Sequence, residues 1–219
     1  MDNLSQRIKE KEMVVLESGS MIQWLAGMGA IALAIIGLAG ILSAWMASIA
    51  TIAIGVALLF EGGLTGARYY NLIAERPERT PGLLEFSGLT AEFFGGACGV
   101  VLGILALLGI FPMTLVPIAA IVYGSALLLE SGMNSSINEL YVAKACDREE
   151  ARQVARAAVR SLSGVQALIG MGSLILGIMG VIGVFPLVLS LVAMLGFGFS
   201  HLLSGAAVSG RMLSALHCR

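Results

Sequence analysis

The chain carries six apolar stretches, each about as long as a membrane-spanning helix. They lie near residues 20–42, 44–63, 89–111, 113–132, 164–185 and 187–207. A helix that crosses the hydrocarbon core needs roughly 20 apolar residues. Lipid offers no hydrogen-bond partner, so a spanning segment must satisfy its backbone groups internally, as a helix does. The sequence therefore predicts an all-α membrane protein with six transmembrane helices.

The composition supports lipid as the main solvent. Charged residues make up 12% of the chain, whereas soluble domains are about a quarter charged. The formal net charge of −1 gives no basic surface for nucleic acid, so we expect no nucleic-acid partner. Cys98, Cys146 and Cys218 lack paired spacing, which argues against disulfides and a zinc site.

The basic residues predict an orientation. Every Lys and Arg falls in the N-terminal tail, in segments 64–86 and 133–163, or in the C-terminal tail. The three other connections, near Ser43, Pro112 and Pro186, contain none. By the positive-inside rule, both termini and both long connections are cytoplasmic. We expect an integral protein of a bacterial-type inner membrane.

An internal repeat relates the six stretches. Residues 48–63 and 117–132 are identical at nine of sixteen positions, at an offset of 69. Residues 103–112 and 177–186 also resemble each other, at an offset of 74. The two offsets align three helical hairpins without internal gaps. Because each unit has two spans, the copies are parallel repeats around an axis along the membrane normal.

The repeat and the charges divide the chain into seven parts. A cytoplasmic N-terminal interfacial segment and a cytoplasmic tail enclose three hairpins and two cytoplasmic connections. The parts are 1–17 (interfacial segment), 18–68 (repeat 1), 69–86 (connection), 87–136 (repeat 2), 137–160 (connection with a basic helix), 161–211 (repeat 3) and 212–219 (tail).

Small residues form a stripe along each predicted helix. Such residues let backbones approach closely, and the resulting dispersion contacts replace the hydrophobic drive that lipid cannot supply. A Gly/Ala/Ser face could instead line a pore, but it would line one poorly. We therefore predict that these faces pack helices together. The glycines assigned to packing are Gly27, Gly96, Gly99, Gly103, Gly170 and Gly177.

Polar side chains occupy aligned positions near the cytoplasmic end of the spans. Gln23 and Glu61 each lie about 27–30 Å along a helix from the turn near Ser43, which is close to the hydrocarbon thickness. Within each hairpin, the polar residues of the two helices could therefore meet. The expected pairs are Gln23 with Glu61, Glu92 with Glu130, and Gln166 with Ser204.

Three interpretations of this polar belt stay open from the sequence. The side chains could cap the packing, hydrogen-bonded or wetted from the cytoplasm. The acidic pair Glu92 and Glu130 could instead be a candidate cation or proton site, since two adjacent carboxylates cannot both ionise cheaply. A lipid-headgroup pocket is the third. A lone His in a span can be a proton relay or a pigment ligand. His201 aligns with Leu58 and Leu127 and so has no polar counterpart in the repeat, and we therefore expect no such role for it.

The cytoplasmic connections are expected to be partly helical. The second span should extend through about Ala74, and the helix around residues 148–160 should continue into the fifth span. Its basic residues recur every four positions and form one stripe, which could contact anionic lipid headgroups or dock an acidic partner or a second copy. The stripe consists of Arg148, Arg152, Arg156 and Arg160.

The sequence contains no recognisable catalytic motif. It has no phosphate loop, nucleophile–base set, paired metal-ligand motif or cofactor fingerprint, so we expect no enzyme, no cofactor and no metal. The leading hypothesis is a membrane scaffold or anchor that oligomerises, as a homo-oligomer or a subunit of a larger membrane complex, or holds a cytoplasmic partner. The alternative is an ion- or proton-conducting protein that uses Glu61, Glu92 and Glu130.

Overall fold

The computed structural model describes the backbone of residues 21, 23–74, 83–145 and 149–217. It describes side chains within residues 21, 23–63, 90–132 and 163–204. Across these ranges the chain is helical, with short turns and no strand. The predicted all-α class is therefore confirmed for the described part of the chain.

Six helices follow one another along the chain. They are α1 (Gln23–Leu38), α2 (Ser43–Ala74), α3 (Leu83–Leu107), α4 (Pro112–Ala145), α5 (Glu149–Val181) and α6 (Pro186–His217). Helices α2 to α6 each contain a segment long and apolar enough to cross a membrane, so this is an integral membrane protein. The described part of α1 is apolar but shorter. As predicted, α2 extends to Ala74, and α5 begins before the fifth span.

Three short turns of the same construction join α1 to α2, α3 to α4, and α5 to α6. Gly40, Gly109 and Gly183 have φ values of +85°, +84° and +100°, which glycine adopts without steric cost. The Gly40 N–H donates to the Gly37 carbonyl at 3.1 Å, and the Ile41 N–H reaches back five residues to Ile36. The other two turns repeat both bonds. This is the Schellman pattern, which ends a helix at a left-handed glycine.

Helices α2, α4 and α6 form an inner bundle. Each contacts the other two, and 44% of the apolar segment of each is buried, against 33% in α3 and 28% in α5. Helix α3 lies against α2 and α4, and α5 lies against α4 and α6. Helix α1 approaches α6 at Gly27 and α2 at Gly37. The apolar segments of the outer helices α3 and α5 are less buried because one face of each helix lies towards lipid.

Large side chains fill the centre of the inner bundle. Ile54, Tyr123 and Phe197 come from its three helices and are at most 1% exposed. The Tyr123 and Phe197 rings meet edge to face, with centroids 5.6 Å apart, a favoured aromatic geometry. The Tyr123 hydroxyl donates to the Thr51 carbonyl at 2.6 Å. The next layer, away from the turns, consists of Leu58, Leu127 and His201, which are also buried.

Glycines let the outer helices approach the inner bundle so closely that the backbones are in contact. A Cβ on Gly55 would lie 2.9 Å from the Gly96 carbonyl oxygen, and one on Gly96 would lie 2.7 Å from that of Gly55. Approach this close brings Cα–H groups to carbonyl oxygens, a weak contact that recurs between helices. Two further pairs have the same reciprocal geometry, Gly124 with Gly170 and Gly198 with Gly27.

The remaining glycines assigned to packing also face a neighbouring helix. A Cβ on Gly103 would lie 2.7 Å from Ile52, and one on Gly177 would lie 2.6 Å from Ile121. At Gly99 a Cβ would overlap the Tyr123 ring. The Gly103 and Gly177 contacts join helices of different predicted hairpins, whereas the Gly99–Tyr123 contact lies within the second hairpin. The small-residue faces therefore pack helices both within and between the predicted hairpins.

Gly99→Ala is expected to lower the melting temperature in detergent, because the added methyl group overlaps Tyr123. Overfilling of a packed contact costs about 1–3 kcal/mol. The matched control is Gly29→Ala, also in a helix, where a Cβ would meet nothing within 4 Å. The control should be neutral or gain about 0.5–1 kcal/mol from lower backbone entropy in the unfolded chain. Equal melting of both variants would contradict the Gly99–Tyr123 contact.

Candidate functional site

The end of the bundle opposite the turns, here called the polar end, carries all six residues of the predicted belt. Each helix contributes one of them. Glu92, Glu130 and Gln166 are at most 4% exposed, and the Glu61 side chain is 14% exposed. The six residues are Gln23 (α1), Glu61 (α2), Glu92 (α3), Glu130 (α4), Gln166 (α5) and Ser204 (α6).

Carboxamide groups make the hydrogen bonds of the polar end. Gln23 Nε2 donates to Glu61 Oε1, and Gln166 Nε2 donates to Ser204 Oγ at 3.0 Å. These are two of the three pairs that the sequence predicted within hairpins. Gln166 Nε2 also lies 3.3 Å from Glu130 Oε1, a contact between hairpins that the sequence did not predict. The amides therefore link helices within hairpins and from one hairpin to the next.

Glu92 has a different environment from its aligned glutamines. Its carboxylate interacts electrostatically with those of Glu130 and Glu61. Contact within the predicted Glu92–Glu130 pair stays a prediction. Glu92 Oε2 is buried without a hydrogen-bond partner among the described residues. A buried carboxylate oxygen left unpaired carries a substantial desolvation cost.

His201 belongs to the polar end, although the sequence analysis gave it no role. Its Nδ1 lies 3.5 Å from Glu61 Oε2, and its side chain is 3% exposed. Its Nε2 has no hydrogen-bond partner among the described residues. The sequence held one signal for this position. His201 precedes Ser204 by three residues, and residues at that spacing are neighbours on a helix face.

The chemistry of the polar end is set by an excess of acid. It has three carboxylates, and its one described side chain able to become cationic is the imidazole of His201. Within the described residues, no group of three or more His, Cys, Asp or Glu side chains could hold a metal ion. Hydrogen bonds between helices are the interaction that the described residues of the polar end show.

The predicted basic stripe can be placed only by its backbone. Arg148 lies outside the described residues. Arg152, Arg156 and Arg160 lie on α5, and their side chains are outside the described set. Their contacts with lipid or protein therefore stay predictions.

The chain matches no protein-family model, no curated protein and no solved structure. Fold alone does not define a function. The features of the molecule that bear on its function are therefore the polar end, the filled centre and the lengths of the helices.

A double-mutant cycle of Gln166→Leu and Ser204→Ala should reveal coupling between these two side chains. Side-chain hydrogen bonds between membrane helices average about 0.6 kcal/mol and reach about 1.7 kcal/mol. The readout is the free energy of unfolding in mixed micelles. Ser190→Ala is the matched control for the serine, because Ser190 bonds within its own helix, to the Pro186 carbonyl at 2.7 Å. A Gln166–Ser204 coupling no larger than the Gln166–Ser190 coupling would contradict the bond.

Proposed function

We propose that the protein is a non-enzymatic membrane scaffold or anchor subunit, built from three parallel hairpin repeats. It would oligomerise, or hold a partner, at the cytoplasmic face of a bacterial-type inner membrane. The observation that carries the proposal is the length of the inner helices beyond the apolar segments. The apolar stretches of the sequence end near residues 63, 132 and 207, whereas the helices continue to Ala74, Ala145 and His217.

These extensions provide a platform of regular structure on the side of the polar end. A continuation of about 10 to 13 residues rises about 15–20 Å beyond the apolar stretch. Helix α5 adds a fourth extension, because it begins at Glu149 and its apolar stretch begins near residue 164. The turns on the opposite side are short. A protein with its ordered mass outside lipid on one side is suited to contacts on that side.

Equivalent geometry at equivalent positions supports the repeat. The left-handed glycines of the three turns occur at the two offsets found in the sequence. The three reciprocal glycine contacts follow the same offsets. Each contact joins the second helix of one hairpin to the first helix of the next, and the third returns to α1. This is the arrangement expected of three parallel units around one axis.

The filled centre of the inner bundle supports a scaffold over a conductor. Ile54, Tyr123 and Phe197 occupy the centre between the polar end and the turns. An ion needs polar groups or water along its path to offset the cost of leaving water. A layer of buried aliphatic and aromatic side chains offers neither along this axis.

A second candidate is favoured by the buried acids. Ionisable residues within membrane segments commonly mark ion or proton pathways, and Glu92 Oε2 is unpaired among the described residues. A conducting protein would use Glu61, Glu92 and Glu130, along a route other than the filled centre.

The scaffold proposal predicts that gently solubilised protein carries several copies or a retained companion. Native mass measurement or particle imaging would report this, together with bound anionic lipid. Arg152→Glu combined with Arg156→Glu should weaken retention of lipid or partner, because both changes reverse charge on the predicted basic stripe. The matched control replaces the same two residues with Lys. A single copy without a companion, both in the unaltered protein and in gently extracted native membranes, would contradict the proposal.

The conducting alternative predicts flux through liposomes that contain the purified protein. We expect a pH-sensitive dye and a potassium gradient to report no more flux than in empty liposomes. Glu92→Gln and Glu61→Gln proteoliposomes are the matched controls for any signal. Flux that disappears in these variants would overturn the scaffold proposal in favour of conduction.

A further inference from the structure

Each of the three turns carries an apolar residue with a strained backbone. Leu42, Phe111 and Phe185, here called the tip residues, have φ values of +46°, +42° and +40°. This left-handed region is sterically costly for a residue with a Cβ and rare for a bulky one. Glycine would adopt the same φ without that cost. All three turns nevertheless place a large apolar side chain at this position.

The tip residues point away from the described part of the chain. They are 63%, 77% and 74% exposed, in chain order. Apolar neighbours on the same turns are also exposed, among them Ile41, Leu108 and Ile182. A strained residue persists where its surroundings compensate for the strain. The contact that compensates for it at the tips is therefore made outside the described part of the chain.

The distance from the polar end to the tips matches the thickness of a bilayer. Glu61, Glu130 and Ser204 each lie 18 residues after the first residue of their helix, which is α2, α4 and α6 respectively. This length of helix rises about 27 Å, and the hydrocarbon core is roughly 30 Å thick. With the polar end at one boundary of that core, the tips lie near the other boundary.

The surface around the tips is complementary to lipid in its charge. Residues 24–60, 93–129 and 167–203, which include the three turns, contain no Asp, Glu, Lys or Arg. Trp45 follows the first turn and is 55% exposed, and tryptophan is enriched where membrane meets water. Exposed apolar side chains without charge favour contact with acyl chains over contact with water.

Hydrogen bonds within the turns suit a position with little water. The Phe111 carbonyl accepts from two N–H groups in the first turn of α4, at 2.9 and 3.0 Å. Pro112 and Pro186 begin α4 and α6 and have no N–H to leave unpaired. Ser43, which begins α2, donates its hydroxyl to the Gly37 carbonyl at 2.8 Å. Because irregular backbone is not tolerated deep in hydrocarbon, the boundary layer is the depth that fits these turns.

We propose that the tip residues insert into the boundary between acyl chains and headgroups, on the side of the bilayer opposite the polar end. They anchor the three hairpins at one depth, and lipid covers this end of the bundle. Removal of their side chains from water offsets the strain of their backbone. Contacts with soluble molecules are then confined to the side of the polar end. This anchoring goes beyond the scaffold function and does not depend on it.

Fluorescence quenching in phosphatidylcholine vesicles tests the depth of the tips. Trp24 and Trp45 are the two tryptophans of the chain; changing both to Phe and adding Phe111→Trp gives a reporter at one tip. Lipid brominated near the headgroup should quench it more than lipid brominated near the end of the acyl chain. Val101→Trp, on an exposed face of α3, is the matched control and should show the reverse order. Aqueous iodide should quench the tip several-fold less than a free tryptophan amide, and equal quenching would overturn the proposal.

Glycine at the tips separates anchoring from folding. Leu42→Gly, Phe111→Gly and Phe185→Gly together remove the strain and the apolar side chains. In detergent, the melting temperature of this triple variant should be unchanged or higher. In vesicles, with Trp24→Phe leaving Trp45 as the reporter, iodide quenching should increase several-fold. The matched control exchanges leucine and phenylalanine at the three positions and should keep the protection. Unchanged quenching in the glycine variant would overturn the anchoring role, and a large fall in melting temperature would assign the side chains to internal packing.

Cysteine labelling distinguishes lipid from a protein partner at the tips. Phe111→Cys is made in a chain whose three native cysteines are replaced by serine, and a cysteine appended after Arg219 is the water-exposed control. A membrane-impermeant maleimide should label the tip several-fold more slowly than the control, both in opened native membranes and in pure lipid vesicles. Protection that is present in native membranes and absent in pure lipid would overturn lipid in favour of a protein partner. Copy number and cytoplasmic partners enter none of these measurements, so failure of the scaffold proposal would leave the result intact.

Discussion

Backbone contact between outer and inner helices is the interaction on which the rest of this structure depends. Lipid supplies no hydrophobic drive between helices, so association relies on close dispersion contact and hydrogen bonds. Gly55 and Gly96 bring α2 and α3 to a separation that any side chain at either position would increase. This close approach also places Glu92 beside the backbone of α2 at Gly62, and the Gln23 amide of α1 bonds to Glu61 on the same helix. The polar end is thus assembled by contacts made deeper in the bundle.

The sequence predicted much of the fold because its signals are local. Apolar length located the spans, and the three turns lie at the connections predicted near Ser43, Pro112 and Pro186. The sequence did not show which helices are neighbours. Helical periodicity tells which residues share a face but not which helix that face meets. The small-residue stripe at Gly99 accordingly gave no sign that the Tyr123 ring of α4 would pack against it.

Part of the site could be predicted because depth along a helix is also a local signal. Depth along each helix placed the belt residues at one level, and two of the expected pairs are hydrogen-bonded. The contact of His201 with Glu61 was not predicted, because a repeat alignment emphasises the residues that aligned positions have in common. Leu58 and Leu127 made its position look like core, and the core position is indeed where it lies. Its contact with Glu61 depends on how α6 and α2 meet around the centre.

Two departures from symmetry therefore decide the chemistry of the polar end. Where the other hairpins place Gln23 and Gln166, the second places Glu92, so a donor is replaced by an acceptor. Where two hairpins place leucine, the third places His201, which can supply a proton or a positive charge near Glu61. Packing of the glycine faces would tolerate neutral residues at both positions. The buried layer of Ile54, Tyr123 and Phe197 fills the centre behind them, so neither group lies on a polar path along the axis of the inner bundle.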